Sequence, residues 1–278
     1  MQSTFKLGKY LLDLSEPQLM GILNITQDSF SDGGLYYDSS KARDKVLAMI
    51  DQGAAIIDIG GESTRPGATP VSLNDELRRV IPLVEYVVGL DVPVSIDTSK
   101  AEVMKAAVAA GASMINDVFA LQNPGALEAA ANLKVPVCLM HMQGAPEIMQ
   151  NEPQYKDVVN DIIDFFKQRI LACKMVGIDK EQIILDPGFG FGKTVAHNFS
   201  ILNRLEEFCT LGFPILAGLS RKSMIAAIIN KPAQQLVSAS VAMAILAWQG
   251  GANFIRVHDV LETKEALKMV TALEKARS

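Results

Sequence analysis

The sequence predicts a closed, single-domain (β/α)8 barrel spanning residues 1–278, and three observations carry that expectation. Eight short apolar runs recur along the chain, helix-length stretches separate them, and most runs end in a polar or glycine-rich cluster. A run that stays apolar through both phases of the pleat reads as a strand buried on both faces of a parallel sheet. Alternating strands and helices close such a sheet into a barrel, with chemistry at the C-terminal strand ends.

The elements follow in order. Phe5 and Leu7, then Tyr10, Leu12 and Leu14, alternate around Gly8-Lys9 and predict a hairpin within 1–17 that plugs the barrel bottom. Strands are expected at 19–24, 55–61, 93–97, 113–117, 136–141, 183–188, 214–220 and 254–258. Helices are expected at 39–52, 72–89, 99–110, 124–132, 154–176, 197–210, 221–230 and 260–276, with Asp38, Ser99 and Ser220 as N-caps. The longest loops, 26–38 and 62–72, both follow strands and so belong to the working face. One more stretch, 234–249, is apolar on nearly all faces, which points to a subunit interface and a homodimer, with Trp248 packing there.

Composition narrows the function. A net charge of −5 without a basic stripe argues against nucleic acid. Cys138, Cys173 and Cys209 form no CxxC pair, so neither a zinc knuckle nor a disulfide framework is suggested, which suits the cytoplasm. The N-terminus lacks the apolar core of a signal peptide. No apolar run reaches the roughly 18 residues of a membrane span.

The strand ends carry the chemistry. Asp97, Asn116 and Asp186 end different strands, so their side chains should converge above the barrel. Buried acids need donors, and a heterocycle bearing NH and NH2 groups supplies them; a carboxylate accepts two parallel N–H bonds from an aminopyrimidine edge. One such aspartate alone would read as a helix cap, but two acids and an amide on separate strand ends do not. Lys222 follows the seventh strand, and Arg256 and His258 end the eighth, where barrels of this kind often bind phosphate. Arg256 sits inside an apolar strand, where an unpaired charge is costly, so an anion is expected there. Asn24 and Asp28 on the first loop offer oxygen ligands to Mg2+. His197, beside Asn198 at a helix start, reads as structural, and so does His141. Gly192-Lys193-Thr194 has the look of a P-loop tail, but Pro187 stands where that motif needs its first glycine, so ATP binding is rejected. Gly188, Gly190 and Gly192 instead suggest backbone approaching a flat ligand, flanked by Phe189 and Phe191.

Read together, GILNITQDSFSDGG (21–34), DIGGESTRPGA (58–68), IDT (96–98), IND (115–117), LMHMQGAPEIMQ (139–150), DPGFGFGKTVAHN (186–198), GLSRKS (218–223) and RVHDV (256–260) resemble the dihydropteroate synthase family over nearly the whole chain. The family's first loop usually reads Asn-x-Thr-Pro-Asp, and Gln27 replaces that proline here. The resemblance implies condensation of 6-hydroxymethyl-7,8-dihydropterin diphosphate with 4-aminobenzoate, giving 7,8-dihydropteroate and diphosphate in folate synthesis. It implies that Asp97, Asn116, Met140, Asp186, Gly218 and Lys222 hold the pterin, with Asp97, Asp186 and Lys222 catalytic. Asn24, Thr64, Arg256 and His258 would hold the diphosphate, and Asn24 the Mg2+. Phe30, Thr64, Arg65, Pro66, Phe191, Lys222 and Ser223 would border the aminobenzoate, the site sulfonamides should contest. The displacement is expected to be SN1-like, the carboxylates stabilising positive charge on the ring. Two rivals share the pterin set: a methyltetrahydrofolate-dependent methyltransferase, which needs no diphosphate cluster, and a catalytically silent pterin-binding protein.

Overall fold

The computed structural model describes residues 4–25, 35–63, 69–144 and 153–276, with backbone only for 35–39. The hairpin is present as β1 (Thr4–Leu7) and β2 (Tyr10–Asp13), paired antiparallel. The barrel follows as β3 (Gln18–Asn24), α1 (Leu35–Asp51), β4 (Ile56–Gly60), α2 (Leu73–Val88), β5 (Val94–Asp97), α3 (Ala101–Ala109), β6 (Met114–Asp117), α4 (Ala126–Leu133), β7 (Val137–Met140), α5 (Val158–Met175), β8 (Ile183–Asp186), α6 (Val195–Asn203), α7 (Glu206–Cys209), β9 (Leu216–Ala217), α8 (Ser223–Ile229), α9 (Val237–Gln249), β10 (Phe254–Val257) and α10 (Val260–Lys275). The eight barrel strands run in the order β8-β7-β6-β5-β4-β3-β10-β9, and a parallel bridge from Leu185 to Ile215 joins the two ends.

Period-two alternation divides each strand between two cores. Outward residues such as Leu23, Ile57, Ile96, Ile115, Leu139, Leu185 and Ile255 pack under the helices. Inward residues at the strand starts, among them Met20, Ile56, Met114, Ile184 and Phe254, meet Phe5, Leu7 and Leu14 of the hairpin segment in a separate apolar plug. Phe5 and Phe254 meet edge to face with centroids 5.6 Å apart. The bottom of the barrel is therefore sealed, and only its upper end is left for polar groups.

Several expectations are corrected. The seventh barrel strand is far shorter than 214–220, because Pro214 has no N–H for a ladder and the Asn253 side chain accepts from Ile215 N at 3.0 Å instead. The stretch 197–210 splits into α6 and α7, and the break lets Leu205 and Phe208 both reach the core. Asp38 falls inside α1, Lys100 rather than Ser99 occupies the N-cap of α3, and Lys222 rather than Ser220 that of α8. Side-chain caps are made by Ser72, Asp157 and Thr194. In α9 the buried face is small, formed by Ser240, Ala244 and Ala247, while Leu246 points out, 47% exposed. Among the described residues no helix is long and apolar enough to cross a membrane.

The plug makes a simple prediction. Phe5→Ala should cost about 3–5 kcal/mol in denaturant unfolding, the range for truncating a buried phenylalanine. Leu11→Ala on the outer face of the same hairpin, 68% exposed, should stay within about 0.5 kcal/mol. Equal losses for the two would show that the hairpin stabilises the fold in some way other than through the plug.

Candidate active site

Strand register brings the polar inward residues to one level. Asn24 pairs with Gly60, Gly60 with Asp97, and Asp97 with Asn116 across β3, β4, β5 and β6, while Asp186 ends β8 beside Met140. They open onto a cavity lined by Asp97, Asn116, Val118, Met140, Asp186, Phe189, Phe191, Gly218, Lys222 and Arg256. All six residues expected to hold the pterin are in that lining.

A buried charge network organises the cavity floor. Arg256 Nε donates to Asp58 Oδ2 at 2.6 Å, and its Nη2 donates to Asp97 Oδ2 at 2.7 Å. Asn116 Nδ2 donates to the same Asp58 oxygen at 3.3 Å. The charge on Arg256, expected to need an anion from outside, is thus met within the barrel by two carboxylates. Asp58, fully buried, went unread in the sequence; its place two residues before Gly60 on an alternating strand was the available signal. Burial raises the Asp97 carboxyl to about 7 against the pull of Arg256, with Asp58 adding to the rise. Burial also raises Asp186, which the Gly188 N–H (2.7 Å), Lys222 and Arg256 oppose. Carboxylates under such strain are ready acceptors for a ligand rich in N–H groups.

Lys222 crosses the face of Gly190, where an added Cβ would lie 3.1 Å from its Cδ, and its Nζ rests 4.0 Å from the Phe191 ring centroid. Ser223 is exposed at the start of α8. His258 is not among the residues that line the cavity; Ser220 Oγ accepts from its backbone N–H at 3.2 Å and lies 3.0 Å from its Nδ1. Burial, then Arg256 and Arg221, lower its pKa to about 3. His258 is therefore a neutral imidazole and not the cation the sequence suggested. Asn24 is exposed, its Oδ1 3.2 Å from where a Cβ on Gly60 would stand. Asp28, Phe30, Thr64, Arg65 and Pro66 lie outside the described residues.

The glycines after β8 serve a different purpose from the one expected. A Cβ on Gly188 (φ +72°) would stand 1.9 Å from His141 O, and one on Gly192 (φ +60°) 2.3 Å from Gln143 O. They let this loop press on the β7–α5 loop, not on a ligand. Lys193 is buried between the two loops with its Nζ 3.0 Å from His141 Nδ1, so the P-loop likeness is only of sequence. His141 is structural as read, its ring edge-on to Phe165 at 4.9 Å. His197 completes a capping box with Thr194 at the start of α6.

The fold agrees with comparisons to known proteins. A family model described as "Pterin binding enzyme" matches residues 20–258. A dihydropteroate synthase of Haemophilus influenzae is 53% identical over 266 residues, covering 95% of this chain and 97% of that one. The crystal structure of Yersinia pestis dihydropteroate synthase in a sulfonamide drug complex superposes with a TM-score of 0.94 at 51% identity, covering 98% of this chain and 99% of that one. Xanthomonas albilineans dihydropteroate synthase with 4-aminobenzoic acid gives 0.93 at 49% identity, covering 99% of each chain.

One buried group sets a pH dependence. Burial, then Lys193, lower His141 from the ordinary 6.5 to about 2. The unfolded chain therefore takes up a proton below 6.5 that the native state refuses, so this group's contribution is present above 6.5 and is lost on acidification. Phe keeps the ring contact. His141→Phe should flatten the fall of unfolding free energy below pH 6.5. The expected difference is up to about 1.4 kcal/mol per pH unit in denaturant titrations at stepped pH. Parallel wild-type and variant curves would mean that His141 titrates normally in the native state.

Proposed function

The chain belongs to the pterin-binding enzyme family, and with that membership as premise we infer that it is a dihydropteroate synthase. It joins 6-hydroxymethyl-7,8-dihydropterin diphosphate to 4-aminobenzoate and releases diphosphate. The observation that carries this reading at the level of residues is the convergence of Asp97, Asn116, Asp186 and Lys222 on one cavity walled by Met140, Phe189 and Gly218. Asp97 and Asp186 accept from the pterin's N–H and NH2 groups and Asn116 adds a donor and an acceptor, which relieves the desolvation that raises both acids. As the methylene C–O bond lengthens, positive charge spreads into the ring, and the same two carboxylates stabilise it without moving. The arylamine nitrogen carries its own lone pair, so attack needs no strong base.

Arg256 spends Nε and Nη2 on Asp58 and Asp97, and its remaining terminal nitrogen faces the departing diphosphate in this reading. His258 contributes as a neutral hydrogen-bonding ring, held by Ser220, and Thr64 joins this diphosphate set. Asn24 offers an exposed oxygen at the rim, a hard donor that fits Mg2+ carrying most of its shell as water and phosphate oxygen. Bound there, Mg2+ would neutralise charge on the diphosphate. Lys222, with Phe191 under its ammonium, lines the cavity, and in this reading both meet aminobenzoate or a sulfonamide together with Phe30, Thr64, Arg65, Pro66 and Ser223. The methyltransferase rival has no use for a diphosphate cluster, and turnover separates the enzyme from a silent binding protein, which would share the same carboxylates. We place the enzyme in the cytoplasm as one barrel domain per chain.

The deciding experiment is dihydropteroate formation from the two substrates by purified protein. Turnover is expected, and chelating Mg2+ should lower the rate by about 100-fold or more, in keeping with several kcal/mol of charge stabilisation. Pterin binding without any turnover would favour the silent binder, and methyl transfer would favour the rival enzyme.

The homodimer is proposed through α8 and α9, supported by Ile228 (63% exposed), Ile229 (43%) and Leu246 (47%) on their outer faces. Ala244 is buried toward the barrel, so it does not report on that surface. Light scattering should give a dimer for the wild type and a monomer for Leu246→Arg. A monomeric wild type, or a variant that stays dimeric, places no interface here.

A further inference from the structure

The proposed chemistry leaves one buried charged group without a task. Lys193 is 3% exposed. Its Nζ lies 2.9 Å from Gly188 O, 2.9 Å from Phe191 O, 3.2 Å from His141 O and 3.0 Å from His141 Nδ1. All four partners are neutral. Burying an ammonium among neutral acceptors is costly, and burial accordingly pulls this lysine down to about 7. The turn it sits in is already shaped by Gly188 and Gly192, which only need the close approach to the neighbouring loop. A leucine or methionine could fill the same space without a charge to desolvate.

What the acceptors share is where their residues go. Two belong to the turn Gly188–Phe191, and the Phe191 carbonyl drawn onto Lys193 belongs to the residue whose ring lines the cavity under Lys222 Nζ at 4.0 Å. Pinning that carbonyl inward fixes the peptide plane and, with it, the exit direction of the Phe191 side chain. The third carbonyl, His141 O, fastens the turn to the loop after β7, one residue beyond Met140 of the cavity wall. Asp97 and Asn116 are held by the sheet register apart from this turn, whereas Asp186, at the end of β8, also accepts from the Gly188 N–H at 2.7 Å.

We propose that Lys193 is a positioning residue for the second substrate: its ammonium pins the Gly188–Phe191 turn and so sets the Phe191 ring and the Lys222 side chain against the arylamine. This rests on the dihydropteroate synthase reading above. It assigns the buried lysine a larger effect on aminobenzoate use than on pterin binding, because the Phe191 carbonyl is bonded to the lysine directly, while of the pterin residues Asp97 and Asn116 stand apart from the turn and Asp186 meets it through the Gly188 N–H alone.

The test uses full-length Lys193→Met, Lys193→Gln, Phe191→Ala and the double variant Phe191→Ala/Lys193→Met, each checked for folding by circular dichroism and melting. Calorimetry reads 6-hydroxymethyl-7,8-dihydropterin affinity, and steady-state kinetics read the KM for 4-aminobenzoate. Lys193→Met should raise that KM about tenfold, as expected for losing charge-assisted hydrogen bonds behind the ring. Its pterin Kd should change by clearly less, about threefold at most, and Lys193→Gln, which keeps an N–H donor, should recover part of the loss. In the double variant the KM should match that of Phe191→Ala within about twofold, because the lysine acts through that ring. Equal losses for both substrates, multiplying effects in the double variant, or failure of both single Lys193 variants to fold would overturn the proposal. A wild type that makes no dihydropteroate would instead sink the functional reading itself.

Discussion

An arginine inside a barrel must be answered there, and here the answer organises everything above it. Arg256 enters from the last strand and is held by Asp58 from β4 and Asp97 from β5, at 2.6 and 2.7 Å. Asp58 is fully buried, and its second duty, accepting from Asn116, extends the network to β6. Four strands, three of them consecutive and the fourth at the far end of the chain, are thus tied at one level, and the same ties orient Asp97 and Asn116. Removing either kind of partner would strand a charge at a depth where water cannot compensate, so the network holds together as a unit. Its net contribution to stability is a separate matter, since the desolvation it requires offsets much of the attraction.

The barrel can bear that cost because its two ends are divided in composition. The lower half is filled by Met20, Ile56, Met114, Ile184 and Phe254 and sealed by Phe5, Leu7 and Leu14. The upper half holds the acids, the amide and the arginine. Alternation along parallel strands makes this possible: β3, β6, β8 and β10 each present an apolar residue to the interior near the start (Met20, Met114, Ile184, Phe254) and a polar one near the end (Asn24, Asn116, Asp186, Arg256). A sealed base also keeps water from reaching the network from below, so a ligand approaches through the cavity mouth.

Much of this was legible from sequence because parallel strands buried on both faces are hard to mistake. The strand ends followed, and with them the convergence of Asp97, Asn116 and Asp186 above the barrel. What failed were features settled by contacts distant in sequence. Asp58 and Arg256 are separated by 198 positions, and nothing local to either reveals that they share a space. The brevity of β9 depends on Asn253, a side chain from the next unit, standing in for a ladder bond. Ser220 looked like a helix cap and instead holds His258. The glycines after β8 were read as contacts for a ligand because the facing loop, which they in fact accommodate, has no signature in the sequence. The aminobenzoate side was legible only through motif likeness, since Phe30, Thr64, Arg65 and Pro66 carry no periodicity that would orient them.

The distribution of charge sets what each part of the site can accept. Inside the cavity Arg256 already meets two carboxylates, while Asp97 and Asp186 are both held above their ordinary range by burial. An anion placed there would add repulsion to the burial that already raises them. A neutral ring with several N–H groups would do the opposite, satisfying acceptors that are otherwise poorly solvated. The anionic portion of a substrate must therefore project out of the cavity, toward the rim where Asn24 is exposed and where His258 stands as an uncharged donor or acceptor. The same inequality applies along the reaction. Positive charge developing on the ring is favoured by the acids beneath it, and negative charge departing toward the rim moves away from them. The pocket thus favours separation of the two, independently of any group that assists the departing anion, and a displacement led by bond cleavage follows from where the carboxylates sit.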